Sequence, residues 1–336
     1  MQRSRKTFFV SAAVAVCAIG VALMTFGIFR HGATAHASPV PELFSALPAG
    51  APTLAYIDLA AIRASSFYQR RPDKGPIAIP NQDYSDFMRS TGFDFEKDLE
   101  RVVVASWPPD SPNGPRRSIA IAEGNFDRAK IHDYAMRKGK LDHQQGREVF
   151  LFPGNDAKTT NAITFLGDRR IALVAGSSIA PVFENHADAA GDPVRERALR
   201  LDGAAVFVIT HVPSIPDNAG AGAPGGAQFL TLARSVQWLT VAARPEGDNL
   251  RVSLEGECDN ASDAAQVKTA LELMRMFGRA GLEGQKNKQS MDPATLAVLE
   301  NMLAGADVTQ AAERVRILVE VTPDVWKLSG PAKPQP

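Results

Sequence analysis

The chain has 336 residues, 45% of them hydrophobic and 22% charged, with 37 basic residues balancing 37 acidic ones. That composition excludes wholesale disorder, and its neutrality gives no electrostatic case for nucleic acid. With Cys17 and Cys258 as the two cysteines, a disulfide-stapled scaffold is excluded as well.

Arg3, Arg5 and Lys6 precede 22 uncharged, mostly apolar residues, Phe8 to Phe29. As a helix rising about 1.5 Å per residue, this run spans roughly 33 Å, enough for a bilayer core of about 30 Å. It also exceeds the usual signal-peptide core of about 7–15 residues. The charge bias predicts an N-terminus inside and a C-terminal domain outside the cytoplasmic membrane. The run is expected to be a single-pass anchor, with the membrane as partner of Phe8 to Phe29 when it is uncleaved. Ala35-His36-Ala37 before Ser38 also fits a signal-peptidase site, and cleavage after Ala37 would give a secreted or periplasmic protein. Cys17 follows Val16 and lies inside the apolar run, so it reads as a helix residue and not as a lipid attachment point.

Beyond Arg30 the chain holds 33 basic against 37 acidic residues, a net charge of −4. Residues 31–50 read as a tether ending in Pro48-Ala49-Gly50. The first strand is Thr53–Asp58, and Asp58 is placed to cap a short helix from Leu59 to Ser66. A polar loop over 69–82 leads to a helix from Tyr84 to Thr91, closed by Gly92. Two strands, Arg101–Trp107 and Arg117–Glu123, form a hairpin, and an amphipathic helix runs from Asp127 to Lys138. A strand over Glu148–Phe152, a hairpin of Ala162–Leu166 with Ile171–Ala175, and helices near 178–187 and 193–200 complete this part.

The pattern then recurs. Strand Ala204–His211 leads to a helix near Phe229–Val236 and paired strands Trp238–Arg244 and Leu250–Glu257. Next come a long helix, Ser262–Arg279, and a second capped by Asp292 and ending before Gly305. The last strand is Arg314–Val321. Val104 and Ala105 answer Val241 and Ala242, and Ile119 and Ile121 answer Val252 and Leu254. The fold expected is α+β: two similar halves, each a strand-helix-hairpin-helix unit, building a mixed, largely antiparallel sheet packed by helices. The boundaries are 1–30 for the anchor or signal, 31–50 for the tether, 51–200 and 201–325 for the halves, and 326–336 for a disordered tail.

Motifs that could carry chemistry fail on spacing. Gly220, Gly222 and Gly225 spell a phosphate-binding pattern, but eight residues separate them from the preceding strand and Pro224 removes a backbone donor. Asp94, Glu96 and Asp98 begin like a calcium loop, yet Leu99 stands where the turn glycine belongs; carboxylates of a first helical turn explain them. The histidines lack metal-ligand spacing, and Glu184, His186 and Asp188 read as helix surface. Cys258 ends a strand and reads as a buried thiol. No catalytic residue, cofactor or metal is expected. The one contact surface nominated is the basic loop of Arg70, Arg71 and Lys74.

Leu47-Pro48-Ala49-Gly50-Ala51-Pro52, followed by Tyr56-Ile57-Asp58, resembles the opening of a group of uncharacterised exported bacterial proteins with an N-terminal membrane segment. The resemblance implies an exported, duplicated α+β protein and no activity. The expected function is a non-enzymatic, membrane-anchored or exported cell-envelope protein with a binding or scaffolding ectodomain and an envelope protein as partner. The alternatives are an extracytoplasmic hydrolase with dispersed catalytic residues, or a small-molecule or lipid-binding module.

Overall fold

The computed structural model describes residues 40–71, 82–109, 117–154, 159–184, 186, 191–214, 234–288 and 292–328. The Phe8–Phe29 run, Lys74, the glycines at 220, 222 and 225, and most of the helix expected near 229–236 lie outside them. Among the described residues no helix is long and apolar enough to cross a membrane. The architecture is α+β, with antiparallel sheet and helices, and the chain divides into two compact units.

The first unit comprises residues up to Ala64 and Lys74–Val206. Its strands are β1 (Thr53–Asp58), β2 (Leu99–Trp107), β3 (Arg117–Gly124), β4 (Lys140–Gln144), β5 (Arg147–Pro153), β6 (Thr160–Phe165) and β7 (Arg170–Ala175). They lie in the order β1-β2-β3-β7-β6-β5-β4, and every neighbouring pair is antiparallel. Val102 to Ala105 and Ile119 to Ala122 are buried without alternation, as expected of strands covered on both faces. Tyr56, Val103, Ile121, Val149 and Phe150 form the fully buried centre. Helices α1 (Val40–Phe44) and α6 (Arg128–Lys138) contribute Leu43, Phe44, Ile131 and Tyr134 to this core.

Aspartates start the helices because a short carboxylate accepts the free N–H groups of a first turn. Asp58 accepts from Ala61 N–H at 2.7 Å to open α2 (Leu59–Ala64), and Asp127 accepts from Lys130 N–H at 3.1 Å. After α4 (Gln82–Thr91), Asp94 caps α5 (Phe95–Asp98), while Asp98 accepts the Asp94 N–H at 2.7 Å. This mutual cap accounts for the calcium-like spacing. Gly124 sits opposite a register shift in β2, where an added Cβ would come within 2.3 Å of the Asp98 carbonyl oxygen.

The second unit comprises Ser65–Asp73 and Phe207–Pro336. Its strands β8 (Val206–His211), β9 (Trp238–Glu246), β10 (Asn249–Glu257), β11 (Asp307–Ala311) and β12 (Arg314–Val321) lie in the order β8-β9-β10-β12-β11. Before α7 (Pro193–Leu199) the first unit carries a short 3-10 turn; the second unit adds α3 (Ser66–Gln69), α8 (Ala261–Lys288) and α9 (Pro293–Gly305). Val236, Cys258, Ala264, Val267, Val308 and Val315 form one core cluster; Phe67, Val321 and Trp326 form another.

Several expectations are corrected. Ser65 ends the helix begun at Leu59, because its hydroxyl caps α3 by accepting from Tyr68 N–H at 3.2 Å. Residues 65–71, placed in the first half by the 51–200 boundary, group with the second unit. Trp326 is buried within a 3-10 turn, Pro323–Leu328, so the tail cannot begin at 326. The helix expected over 178–187 is a 3-10 turn of four residues, Ala180–Phe183, in which Pro181 supplies no backbone donor. Strand β4 is polar and lies at an edge, so it lacks the apolar alternation that marks a strand. Helix α8 continues nine residues past Arg279, because the chain meets no proline before Pro293.

Candidate functional site: a charge ladder and its cleft

In the first unit the strand registers bring four charges into one row. Asp58 on β1 faces Arg101 on β2, Arg101 faces Glu123 on β3, and Glu123 faces Arg170 on β7. The signs alternate across the sheet. Arg101 Nη2 lies 2.9 Å from Glu123 Oε2, in ionic contact without hydrogen-bond alignment, and Arg170 Nε lies 3.8 Å from the same oxygen. Arg170 Nη2 then meets Glu42 Oε2 on α1 at 2.8 Å. Tyr56 donates its hydroxyl to Asp58 Oδ2 at 3.3 Å. Burial pushes the Asp58 carboxyl above its ordinary range, opposed by the Ala61 N–H, Arg101, the Tyr56 hydroxyl and Arg63.

Beside Arg170 lies an open cleft of about 240 Å³, lined by Glu42, Ser45, Ile121, Arg147, Phe183 and Glu184 among others. A second cleft of about 420 Å³ shares Arg147 and Leu166 and adds Arg128, Glu148 and Phe165. The Arg147 guanidinium stands 5.5 Å from the centre of the Phe183 ring. Arg128 is 5.1 Å from the centre of Phe165 and 3.8 Å from Glu148 Oε2. Among the described residues Arg147 makes no ion pair. A guanidinium fixed on an aromatic face and open to solvent can take a carboxylate or phosphate group in its planar fork.

The Leu47–Pro52 opening is held in place by charged side chains. Arg195 donates to the Leu47 carbonyl and, at 2.6 Å, to the His186 carbonyl, while Asp192 accepts from Gly50 N–H at 3.2 Å. Gly50 has φ of +76°, a conformation that glycine adopts without strain. This motif is therefore held against the first unit, and with α1 and the buried Leu43, Phe44 and Leu47 it makes residues 40–50, expected to be tether, part of the fold. Burial pulls the Arg195 guanidinium below its usual value, partly offset by Asp192.

The nominated basic loop is not brought together. Arg70 pairs with Asp248 in the second unit, Arg71 N–H donates to the Tyr68 carbonyl at 3.1 Å, and Lys74 lies outside the described residues. His186 Nε2 is 2.7 Å from the Pro181 carbonyl oxygen, and Asp188, with which it was grouped, is also outside. Among the described residues no three His, Cys, Asp or Glu side chains gather as a metal site. Cys258 is buried, and burial, with Asp263 and Asp259, pushes its thiol up.

Sequence reasoning missed the ladder, although its trace is present. Asp58, Arg101, Glu123 and Arg170 are the charges that bound apolar runs, and antiparallel pairing puts those ends at one edge.

No protein-family model matches the chain, and no curated protein matches it. Among solved structures it is similar to TP0453 in crystal form III, with a TM-score of 0.45 and 9% identity over 84% of this chain and 94% of that one. Crystal form I of TP0453 gives 0.43 and 11% over the same shares, and form IV gives 0.41 and 9% over 88% and 97%.

Proposed function

We propose that this chain is an exported cell-envelope protein, tethered through Phe8–Phe29, whose folded part binds or scaffolds and does not catalyse. The observation that carries the reading is the ladder. Its ionisable groups answer one another strand by strand, so their charges serve the sheet and not a reacting substrate. The apolar run with Arg3, Arg5 and Lys6 before it supports the envelope location. A reporter fused after Pro336 is expected to be active only outside the cytoplasm, and cytoplasmic activity overturns the location. Photocrosslinkers placed around Arg147 and Arg70 in intact cells are expected to trap a recurrent envelope partner. Turnover of a hydrolase substrate panel by the purified chain would overturn the non-enzymatic reading.

A second reading, a small-ligand module, is favoured by Arg147 on Phe183. Its ligand would carry a carboxylate or phosphate and fit the neighbouring clefts. Calorimetric titration with such anions, compared with Arg147→Gln, tests it.

We also infer that the two units descend from one plan. In each, a strand pairs beside a hairpin, and the hairpin's outer strand pairs with the last strand of a later hairpin: β1-β2-β3-β7-β6 against β8-β9-β10-β12-β11. On this reading the residue matches shift by one position. Ile121 faces Val103 whereas Leu254 faces Val241, so Val241 answers Val103 and not Val104. Superposition of experimental structures of the two units tests the relation.

A further inference from the structure

The smaller cleft of the first unit holds two opposite charges that the fold does not use. Its charged lining is Glu42, Arg147, Arg170 and Glu184. Arg170 and Glu42 neutralise each other at 2.8 Å. Among the described residues Arg147 and Glu184 make no ion pair, with each other or with any other group, and both are exposed.

Both charges stand on backbone that is already fixed. Arg147 follows the two-residue turn Gln145-Gly146, with φ of +50° and +74°, which closes the β4–β5 hairpin. Its guanidinium is settled against the Phe183 ring. Glu184 ends the 3-10 turn, where its N–H donates to the Pro181 carbonyl at 3.3 Å and the buried Val182 anchors the turn. Two residues on, the His186 N–H donates to the Ser45 carbonyl at 2.8 Å, which ties this wall of the cleft to the segment after α1.

We infer that the cleft binds a small zwitterion, a free α-amino acid with an apolar side chain. Its carboxylate takes the planar fork of Arg147, its ammonium takes Glu184, and its side chain meets the apolar lining of Leu166 and Phe183. The inference rests on the small-ligand reading and narrows it. Arg147 alone would accept any carboxylate or phosphate. An unpaired carboxylate in the same cleft disfavours a simple anion and favours one that brings its own cation. Size agrees, since a cleft of about 240 Å³ falls below the roughly 300–1,000 Å³ of sites for drug-sized ligands. Both charges are open to water, so each arm contributes a factor of about ten and the affinity is modest.

Calorimetric titration of the full chain in detergent with L-valine, L-leucine and L-methionine tests the inference. Two analogues of leucine separate the arms: isocaproate lacks the ammonium and isoamylamine lacks the carboxylate. The expected result is binding of at least one of the amino acids, with leucine at least about tenfold tighter than either analogue. Arg147→Gln and Glu184→Gln are each expected to weaken amino-acid binding by a similar factor. Neither side chain is paired within the described residues, so the thermal melting of both variants is expected to match the wild type. Isocaproate binding as tightly as leucine, with Glu184→Gln without effect, overturns the zwitterion and leaves the anion reading of Arg147 standing. Amino-acid binding that neither variant changes places the site elsewhere and overturns the inference. Binding of none of these molecules, nor of acetate or phosphate, overturns the small-ligand reading with it.

Discussion

Trp326 donates its indole N–H to the carbonyl oxygen of Phe67 at 3.1 Å, between residues 259 positions apart. Its ring lies 5.0 Å from that of Phe67 and meets Tyr68 edge-on at 6.4 Å. A segment at the start of the fold is thus secured by one at its end, within the second unit.

Trp326→Ala is expected to destabilise the protein by about 3–5 kcal/mol, the usual cost of emptying a buried indole site. Trp326→Phe keeps the ring contact but leaves the Phe67 carbonyl unpaired, for about 1–3 kcal/mol. Urea unfolding of the two variants checks both values. A chain ending at Val325 is expected to behave like the alanine variant.

The ladder predicts an asymmetry between breaking and replacing a buried pair. Glu123→Ala leaves Arg101 and Arg170, on the strands flanking β3, without their shared carboxylate and is expected to cost about 3–5 kcal/mol. Replacing Arg101 and Glu123 together by leucine is expected to cost less, since neither member of the pair is left without the other and Arg170 keeps Glu42, although Asp58 loses the cation opposite it. A double-mutant cycle by chemical denaturation measures the coupling.

Asp58 predicts a pH dependence. Its carboxyl is raised by burial above the ordinary 3.8, so the folded state binds its proton more tightly than the unfolded chain. Stability from this group is full below that ordinary value and is lost as pH rises through the folded one. Asp58→Asn retains a capping side chain but cannot ionise. The stability of the wild type relative to Asp58→Asn is expected to fall with rising pH across that window, then level off, as read by urea titrations at successive pH values.

These predictions mark what was legible in the sequence. Strands of apolar residues, aspartate caps at 58 and 292, and the hairpins could be read because each depends on neighbours in sequence. Strand β4 was not legible, because Lys140, Asp142 and Gln144 give an edge strand no apolar face. The partition of Ser65–Asp73 was hidden because Phe67 finds Trp326 only in the folded chain. The ladder required register, which no single strand specifies by itself. At Arg70 the basic composition is local, but its partner Asp248 comes from a distant turn.

Replacing Arg70, Arg71 and Lys74 by serine is expected to leave stability within about 1 kcal/mol, because the Arg70–Asp248 pair is solvent-exposed. If the loop touches an envelope partner, capture in a crosslinking assay falls in the same variant. The Cys258 thiol is expected to resist alkylation at mildly alkaline pH in the native protein and to react after unfolding, as followed by mass spectrometry.

The segment from Ser65 to Asp73 also sets a timetable. A chain emerging N-terminus first presents Phe67 and Tyr68 long before Trp326 exists to cover them. The first unit can close around its sheet while these two aromatics wait in solvent, and the second becomes complete only when the final residues arrive. Stalling the nascent chain before residue 326 should therefore leave an aromatic pair open to holding factors, and release should extinguish that binding in a single late step.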